Sequence, residues 1–512
     1  MSRHPIPAFM ILALLHGVTM ALIRPMFQVS DELVYFSGVQ SQAARLVARQ
    51  PGDPARARLL HADALVYDTP TGKALFRYSG AVAFIAISHI VPLPASATVL
   101  RLFFALSLPA AVLATWLLAR QLTPRNRTVL LCAPLFVALH PVFVKYASGV
   151  TPDAWANAAA MVAVWLAIRI ADGTAHGMEP AYAVLTAAVA IALKDTAFFL
   201  AALLPLALVL RLIVRVKTKA SDPLTTIRSD PWLVALPACF AAGVVALLIV
   251  PHAASAIASP YQVIQGDTLS VSRVPAASFA VVTTAWRQVP SLFHSFWGNL
   301  GNFGATVVLM PQGIMRVILV LTLVAGAMLF VAGWSHASSA EEAAKSRARL
   351  ALLLVGCAVL LLQPAVRQVV RDTDDLFQGR WLFPMMSVFA VGLTAGWSTL
   401  SREPGRLSLL IGWLLATYAV TAMLVVVVPY YYEQFPDSYR MSGIFVQGTS
   451  GTGADPARVL PFIARPALLR NSAFMLGLLG LWLAWLAVCL ARLPRWADQP
   501  LARTGPSPCP RP

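Results

Sequence analysis

Hydrophobic residues stand in long runs, and the short connections between the runs carry most of the charged residues. A helix that crosses a bilayer needs about 20 mostly apolar residues. By this criterion the pattern predicts an all-α polytopic membrane protein with about twelve transmembrane helices, in a range of 11–13. The predicted spans lie near 6–23, 98–119, 128–147, 154–171, 180–194, 196–214, 232–250, 313–334, 350–366, 381–400, 407–429 and 472–492.

The composition agrees with a membrane protein. Of the 512 residues, 58% are hydrophobic and 12% are charged, and the mean hydropathy is +0.71. A soluble domain usually carries about 25% charged residues. The net charge of +17 comes from basic residues that are spread over short connections. This distribution favours membrane lipids as partners and argues against nucleic acid.

The basic connections also predict the orientation of the chain. Short cytoplasmic loops are enriched in Lys and Arg, so we place both termini in the cytoplasm. The basic connections on that side are 120–127, 211–230, 345–349, 402–406 and 492–503. The large external stretches are then 24–97, 251–312, 367–380 and 430–471. The apolar segment 76–94 would reverse this order if it crossed, so we predict a juxtamembrane helix there, within the first external loop.

The chain is expected to contain two transmembrane modules and a tail. Residues 1–215 form the N-terminal module, which holds most of the candidate site. Residues 216–499 form a variable C-terminal module that includes the external loops 251–312 and 430–471. The proline-rich segment 500–512 is expected to be disordered.

An acid pair, Asp31 and Glu32, follows the first predicted span. Because residues 6–23 cross most of a bilayer, the pair emerges within about two turns of the outer membrane surface. Carboxylates at that surface are suited to proton transfer. The alternative is a surface helix whose first turn carries acids that complement the helix dipole.

Asp153 and Lys194 are predicted to lie on the same outer side. Asp153 opens a span, where it either binds a substrate or complements the helix dipole. Lys194 and Asp195 interrupt the apolar stretch 181–214, which is too long for one span and must turn there. An ionisable residue at bilayer depth needs a partner or a water-filled cavity, and the alternative is a snorkelling turn. Because adjacent helical residues do not face each other, separate partners are expected.

Gly379 and Arg380 open the tenth predicted span on that side. Free backbone N–H groups and a guanidinium together suit a phosphate, and an interfacial Arg-Trp anchor is the alternative. The acids Asp372, Asp374 and Asp375 lie just upstream. They lack the spacing of a known ligand loop, so a divalent metal is possible but is the less favoured interpretation.

Aromatic and amide side chains lie together at 294–304, among them Trp297 and Asn299. Aromatic faces and amide donors suit a sugar ring. Trp and Phe also belong at a membrane interface, and that alternative is the favoured one.

The order of these motifs resembles a known family. The motifs are the acid pair, Leu100-Arg101, Ala119-Arg120, His140-Pro141, Thr151-Pro152-Asp153, Leu193-Lys194, Leu204-Pro205, Phe296-Trp297-Gly298 and Gly379-Arg380-Trp381-Leu382. Together they look like the membrane-embedded glycosyltransferases of the GT-C superfamily, especially bacterial relatives of the protein O-mannosyltransferases and the lipid A aminoarabinose transferases. The resemblance covers 1–215, 294–304 and 378–384, and no single motif is specific. Tyr35 and Asp195 depart from the neighbourhood usual in the family.

The resemblance implies a GT-C fold in the bacterial inner (cytoplasmic) membrane, with residues 1–215 as the catalytic module. The implied reaction moves a sugar from a polyprenyl phosphate to a glycan, lipid or protein acceptor at the periplasmic or outer face, with inversion. It requires no metal. The implied roles are catalysis by Asp31 and Glu32, acceptor or supporting-acid function for Asp153, lipid-phosphate binding by Lys194 and Arg380, and sugar or acceptor contact by Tyr35, Trp297 and Asn299.

Two other classes of protein stay open at this point. A transporter or lipid flippase would also place Lys194 and Asp195 in a cavity, but it should have repeated halves, and no internal repeat is evident. A non-catalytic assembly subunit of the membrane would need neither Asp31 nor Arg380. The glycosyltransferase is the favoured interpretation.

Overall fold

The computed structural model describes residues 5–29, 31–48, 73–219, 232–233, 282–300, 308–333, 339–371, 378–432 and 467–499. Within these ranges the chain is helical and has no named strand. The α-helices are α1 (Pro5–Ile23), α2 (Glu32–Ala48), α3 (Ala74–Ser88), α4 (Leu93–Ala105), α5 (Ser107–Leu122), α6 (Arg127–Leu139), α7 (Pro141–Ala147), α8 (Asp153–Ala171), α9 (Glu179–Leu193), α10 (Leu200–Lys219), α11 (Val289–Gly298), α12 (Gln312–Gly333), α13 (Ala340–Arg371), α14 (Met386–Ser398), α15 (Pro404–Val420), α16 (Val428–Tyr431) and α17 (Ser472–Asp498). Short 3-10 turns cover Asp195–Phe199, Gly379–Met385 and Ala467–Arg470, and a π-helical turn covers Thr421–Val427.

The all-α membrane architecture is confirmed, but the count of twelve spans is not. In the part of the chain that the structure describes, nine helices are long and apolar enough to cross a membrane, and the bent pair α6 and α7 makes ten. The predicted span 180–194 is the helix α9, which has only 15 residues. The predicted span 232–250 lies almost entirely outside the described residues. The helix α3 also has 15 residues, as suits the juxtamembrane helix predicted within 76–94.

The predicted span 128–147 is two helices that meet at 59°. Pro141 is the first residue of α7, and it has no N–H to continue the hydrogen bonding of α6. The residue before a proline is pushed out of the helical region, and His140 accordingly has φ −72° and ψ 103°. The ring nitrogen Nδ1 of His140 accepts a hydrogen bond from the N–H of Phe143 at 3.1 Å and so caps α7.

The turn predicted at Lys194 is confirmed. The helix α9 ends at Leu193, and Lys194 is extended, with φ −149° and ψ 138°. The two charges have separate partners, as expected: Lys194 contacts Asp153 at 3.4 Å, and Asp195 contacts Lys73 at 2.5 Å. The break therefore directs one charge toward α8 and the other toward the start of α3.

The helix α8 separates two polar ends of the bundle. It packs against α5, α9 and α10, and its 19 residues measure about 28 Å. Just beyond its C-terminus, Asp172 accepts hydrogen bonds from Gln121 at 2.7 Å and from Arg349 at 2.8 Å. The predicted basic connections 120–127 and 345–349 thus meet at one end, and Asp153 stands at the other.

Candidate active site

Four charged side chains meet at the N-terminal end of α8. A terminal nitrogen of Arg380, Nη2, lies 2.6 Å from Asp31 Oδ2, and Nη1 lies 3.9 Å from Asp153 Oδ2. The amine of Lys194 lies 3.4 Å from the same Asp153 oxygen. The four residues form an alternating series whose formal charges cancel. The structure thus brings together four of the charged residues that the sequence predicted to lie on the outer side.

Only one of the four is open to solvent. The side chain of Asp31 is 46% exposed, whereas that of Arg380 is 7% exposed. The side chains of Lys194 and Asp153 are 13% and 0% exposed. A ligand that approaches this site therefore meets Asp31 first, with the two cations and the second carboxylate behind it.

Aromatic side chains hold both cations. The amine of Lys194 donates to the hydroxyl of Tyr35 at 2.9 Å and lies 5.0 Å from the centre of its ring. The guanidinium of Arg380 lies 5.5 Å from the ring centre of Tyr146. A cation over an aromatic face is attracted by the ring quadrupole. Tyr35, a predicted site residue, is therefore part of the cluster.

The cations keep Asp31 ionised. Burial alone would raise the pKa of Asp31, because it disfavours the charged form. The charge and hydrogen bond of Arg380, together with the charge of Lys194, outweigh this and hold the pKa below its ordinary value. In this arrangement Asp31 is a carboxylate at neutral pH and a weak proton acceptor.

Glu32 is enclosed, although it is adjacent to Asp31. Its side chain is fully buried, and Arg101 binds both carboxylate oxygens, at 2.8 Å and 2.5 Å. The backbone N–H groups of Phe27 and Val150 each donate to one of these oxygens at 2.9 Å. Burial would raise the pKa of Glu32, but these partners hold it below its ordinary value. Glu32 has no free access to a substrate in this arrangement.

Arg101 fixes the loop that carries Asp31. Its other N–H groups donate to three carbonyl groups at the end of α1, those of Ala21 at 3.1 Å, Arg24 at 2.7 Å and Pro25 at 2.7 Å. These hydrogen bonds restrain the backbone of the loop, which explains why two of its non-glycine residues can adopt a positive φ. These are Phe27 at 66° and Asp31 at 64°. Such backbone strain collects at functional sites.

Gly379 places Arg380. A side chain on Gly379 would put its Cβ 2.1 Å from the backbone nitrogen of Phe296, so only glycine lets this turn lie against α11. The N–H of Gly379 donates to the hydroxyl of Ser295 at 2.6 Å. The sequence predicted a free backbone N–H here, and for Gly379 that is wrong because the α11 serine has taken it. Gly379 therefore offers no free N–H to a phosphate at this turn.

Trp297 and Asn299 lie in the interior. Their exposed fractions are 5% and 1%. Trp297 packs against the rings of Phe136 and His140, and its carbonyl accepts a hydrogen bond from the hydroxyl of Tyr418. Within the described residues, no hydrogen bond or ion pair joins either residue to the four-charge cluster. Their contact with a sugar stays a prediction, and this burial does not favour it.

The described residues contain no group of three His, Cys, Asp or Glu side chains that could hold a metal ion. Asp372, Asp374 and Asp375, which suggested a metal, lie outside the described part of the chain. The interpretation of these three acids as metal ligands therefore stays a less favoured prediction.

Arg101 belongs to the Leu100-Arg101 motif, but its pairing with Glu32 was not predicted from the sequence. It lies within the candidate span Ala95–Leu122, where a charged side chain is costly without a partner. The rule that predicts a partner for Lys194 also predicts one for Arg101. The acid pair after α1 could have been identified from the sequence as a candidate for that partner.

Comparisons with known proteins give one matching family and several similar solved structures. The sequence matches the model of a family described as a predicted membrane protein (DUF2142) over residues 76–388. No curated protein matches it. One similar solved structure is the archaeal oligosaccharyltransferase AglB from Archaeoglobus fulgidus, in complex with an inhibitory peptide and a dolichol-phosphate. The identity is 14%, the TM-score is 0.46, and the match covers 81% of this chain and 55% of that one.

A second similar structure is the arabinosyltransferase EmbB from Mycobacterium smegmatis. The identity is 14%, the TM-score is 0.36, and the match covers 83% of this chain and 41% of that one. Both proteins carry the name of a sugar transferase. This chain spans about half the length of either or less, and TM-scores below 0.5 do not establish an activity. Because the family model covers more than half of its 512 residues, the chain belongs to the DUF2142 family of predicted membrane proteins.

Proposed function

We propose that this multi-pass membrane protein is a glycosyltransferase that moves a sugar from a polyprenyl phosphate to an acceptor at the outer face of the bacterial cytoplasmic membrane. The observation that carries the proposal is the cluster of Asp31, Asp153, Lys194 and Arg380, whose members lie up to 349 positions apart in the sequence. Ionisable residues at the membrane are costly and are retained where they have a task. A lipid-linked phosphate would keep its tail in the bilayer and its head group at this end of the bundle.

Asp31 serves as the general base in this proposal. It takes the proton of the acceptor hydroxyl, whose oxygen bonds to the anomeric carbon from the side opposite the phosphate. The bond between that carbon and the phosphate oxygen breaks, and its electron pair stays on the phosphate. Lys194 and Arg380 stabilise the charge that develops on this leaving group. The configuration at the anomeric carbon inverts, and the protein's own cations do the work that a metal would do.

The two other acids position the site. Asp153 is fully buried and contacts both cations, so it sets their distance from each other. Glu32 anchors the loop through Arg101, which supports an orienting role and not direct proton transfer. The hydroxyl of Tyr35 accepts a hydrogen bond from Lys194, so in this proposal Tyr35 contacts the sugar or the acceptor next to the phosphate.

The test uses purified full-length protein in lipid vesicles with labelled polyprenyl-phosphate sugars. Asp31→Asn keeps the side-chain shape, and asparagine accepts the left-handed backbone. We expect transfer to fall by about 100-fold or more, the usual effect of removing a general base. The matched control is Glu341→Gln, at an exposed carboxylate on α13, and it should keep full activity. Transfer that survives Asp31→Asn would overturn the proposal, and lipid movement across the membrane without transfer by the wild-type protein would favour a transporter.

A further inference from the structure

The base and the phosphate-binding cation of the proposed site are bound to each other. Arg380 Nη2 lies 2.6 Å from Asp31 Oδ2, a short distance typical of a charge-assisted hydrogen bond. The other terminal nitrogen, Nη1, points toward Asp153 at 3.9 Å. Both ends of the guanidinium are therefore directed at carboxylates. A phosphate that binds the terminal nitrogens of Arg380 therefore competes with these carboxylates.

Charge balance within the four-charge cluster favours such an exchange. Asp31 and Asp153 carry two negative charges, and Lys194 and Arg380 carry two positive charges, so the cluster is formally neutral. A sugar linked through a phosphodiester brings one further negative charge. A buried charge without a partner is strongly unfavourable. On donor binding, the release of one carboxylate into water would restore the balance of the four-charge cluster.

Asp31 is the carboxylate that can leave. Asp153 is fully enclosed and contacts both cations, whereas Asp31 is 46% exposed and is held through a single oxygen. A carboxylate that turns into water recovers its hydration, and an enclosed one does not. Besides the two cations, the described residues place the phenol of Tyr146 within electrostatic reach of Asp31, and a neutral phenol does not oppose this movement.

We propose that the donor phosphate displaces Asp31 from Arg380, and that this exchange frees Asp31 to take the proton of the acceptor hydroxyl. The inference rests on the proposed function and adds a binding order to it, with the donor bound before the acceptor is activated. The acceptor proton moves to Asp31, the acceptor oxygen bonds to the anomeric carbon, and the electron pair of the broken bond goes to the phosphate. When the lipid phosphate leaves, Asp31 gives its proton to water and returns to Arg380 as a carboxylate.

The electrostatics of Asp31 agree in direction. While Asp31 is paired, the charges of Arg380 and Lys194 overcome burial and hold its pKa below the ordinary value. Loss of the Arg380 contact and the arrival of a phosphate charge both raise that pKa. The same event that supplies the leaving group thus makes the carboxylate a better base.

An infrared titration of the full-length protein in lipid vesicles tests the exchange. The C=O band of protonated Asp31 is identified as the band that Asp31→Asn removes, and its intensity is followed against pH. We expect a polyprenyl phosphate to raise the midpoint of this titration by about one pH unit or more. Polyprenol and inorganic phosphate, added separately, distinguish the lipid-linked phosphate from either part alone. We expect neither to match the shift.

Two variants complete the design. Arg380→Gln should raise the midpoint before any lipid is added, and polyprenyl phosphate should then add little. The matched control is Arg406→Gln, since the Arg406 side chain is 86% exposed, and it should behave like wild type. An unchanged midpoint in wild-type protein that demonstrably binds polyprenyl phosphate would overturn the exchange.

Transfer activity in the same preparation separates the two proposals. Transfer without a shift of the midpoint removes the exchange and leaves the glycosyltransferase standing. A shift without transfer of any supplied sugar supports displacement of Asp31 by phosphate and counts against the enzyme.

Discussion

The pair formed by Glu32 and Arg101 allows a quantitative prediction about stability. Both side chains are fully buried, at 2.5 Å from each other. Removing one member of such a pair leaves the charge of the other without compensation, at a cost of about 3–5 kcal/mol. We expect Arg101→Met to lie at the upper end of this range, because it also removes donors from three buried carbonyl groups. Glu32→Gln should lie at the lower end, since the amide keeps the shape of the side chain.

The double variant, Glu32→Gln with Arg101→Met, distinguishes charge pairing from lost packing. If pairing dominates, the second substitution removes a charge that the first one stranded. The double variant should then lose about 2 kcal/mol less stability than the sum of the two single variants, within the usual range for contacting residues. The assay is unfolding of the purified protein in detergent micelles, which gives the free energy of unfolding for each variant.

Glu341→Gln provides the control for this series. The Glu341–Lys345 pair has the same distance of 2.5 Å, but Glu341 is 59% exposed. Exposed pairs are screened by water, so no measurable loss is expected. Single variants at Glu32 or Arg101 that are no less stable than this control, or costs that simply add, would refute the assignment of the pair as the anchor of the loop.

Three further predictions concern Gly379, Glu32 and Lys73. Gly379→Ala should weaken polyprenyl-phosphate binding and lower thermal stability, because its Cβ would lie 2.1 Å from a backbone nitrogen of α11, whereas Gly313→Ala, with nothing within 4 Å, should change neither. The pKa of Glu32 is below its ordinary value, so its stabilising effect is complete above about pH 4.3 and is lost as the pH falls through the lowered pKa. Melting temperatures against pH should show this loss in wild type and not in Glu32→Gln. Lys73→Gln removes a 2.5 Å ion pair with the partly exposed Asp195, and denaturant unfolding should show a loss of about 1 kcal/mol.

Two parts of the site could be predicted because an ionisable side chain without a partner is unfavourable in the membrane. Lys194 and Asp195 lie in an apolar stretch that is too long for one span. A break in the helix with a separate partner for each charge was therefore the arrangement of lowest free energy. The positive-inside pattern then placed Asp31, Asp153 and Arg380 on the same side as Lys194. These rules depend only on polarity and length, which the sequence displays directly.

Other features depend on packing between distant segments, which periodicity cannot specify. The burial of Trp297 depends on its contacts with α6 and α15, whereas from sequence a tryptophan near a span end suits the interface equally well. The predicted span 128–147 was continuous in hydropathy, but Pro141 bends it by 59°. The N–H of Gly379 was predicted to be free because its partner, Ser295, is 84 positions away.

The adjacent acids Asp31 and Glu32 have opposite environments, and the backbone explains why. Glu32 begins the helix α2, whereas Asp31 has φ 64°, in the left-handed region. The change in backbone conformation between them directs one carboxylate inward to Arg101 and leaves the other exposed beside Arg380. A non-glycine residue persists in this conformation only when its surroundings hold it there. The buried pair can supply that restraint, so the enclosed acid sets the position from which the exposed acid can act as a base.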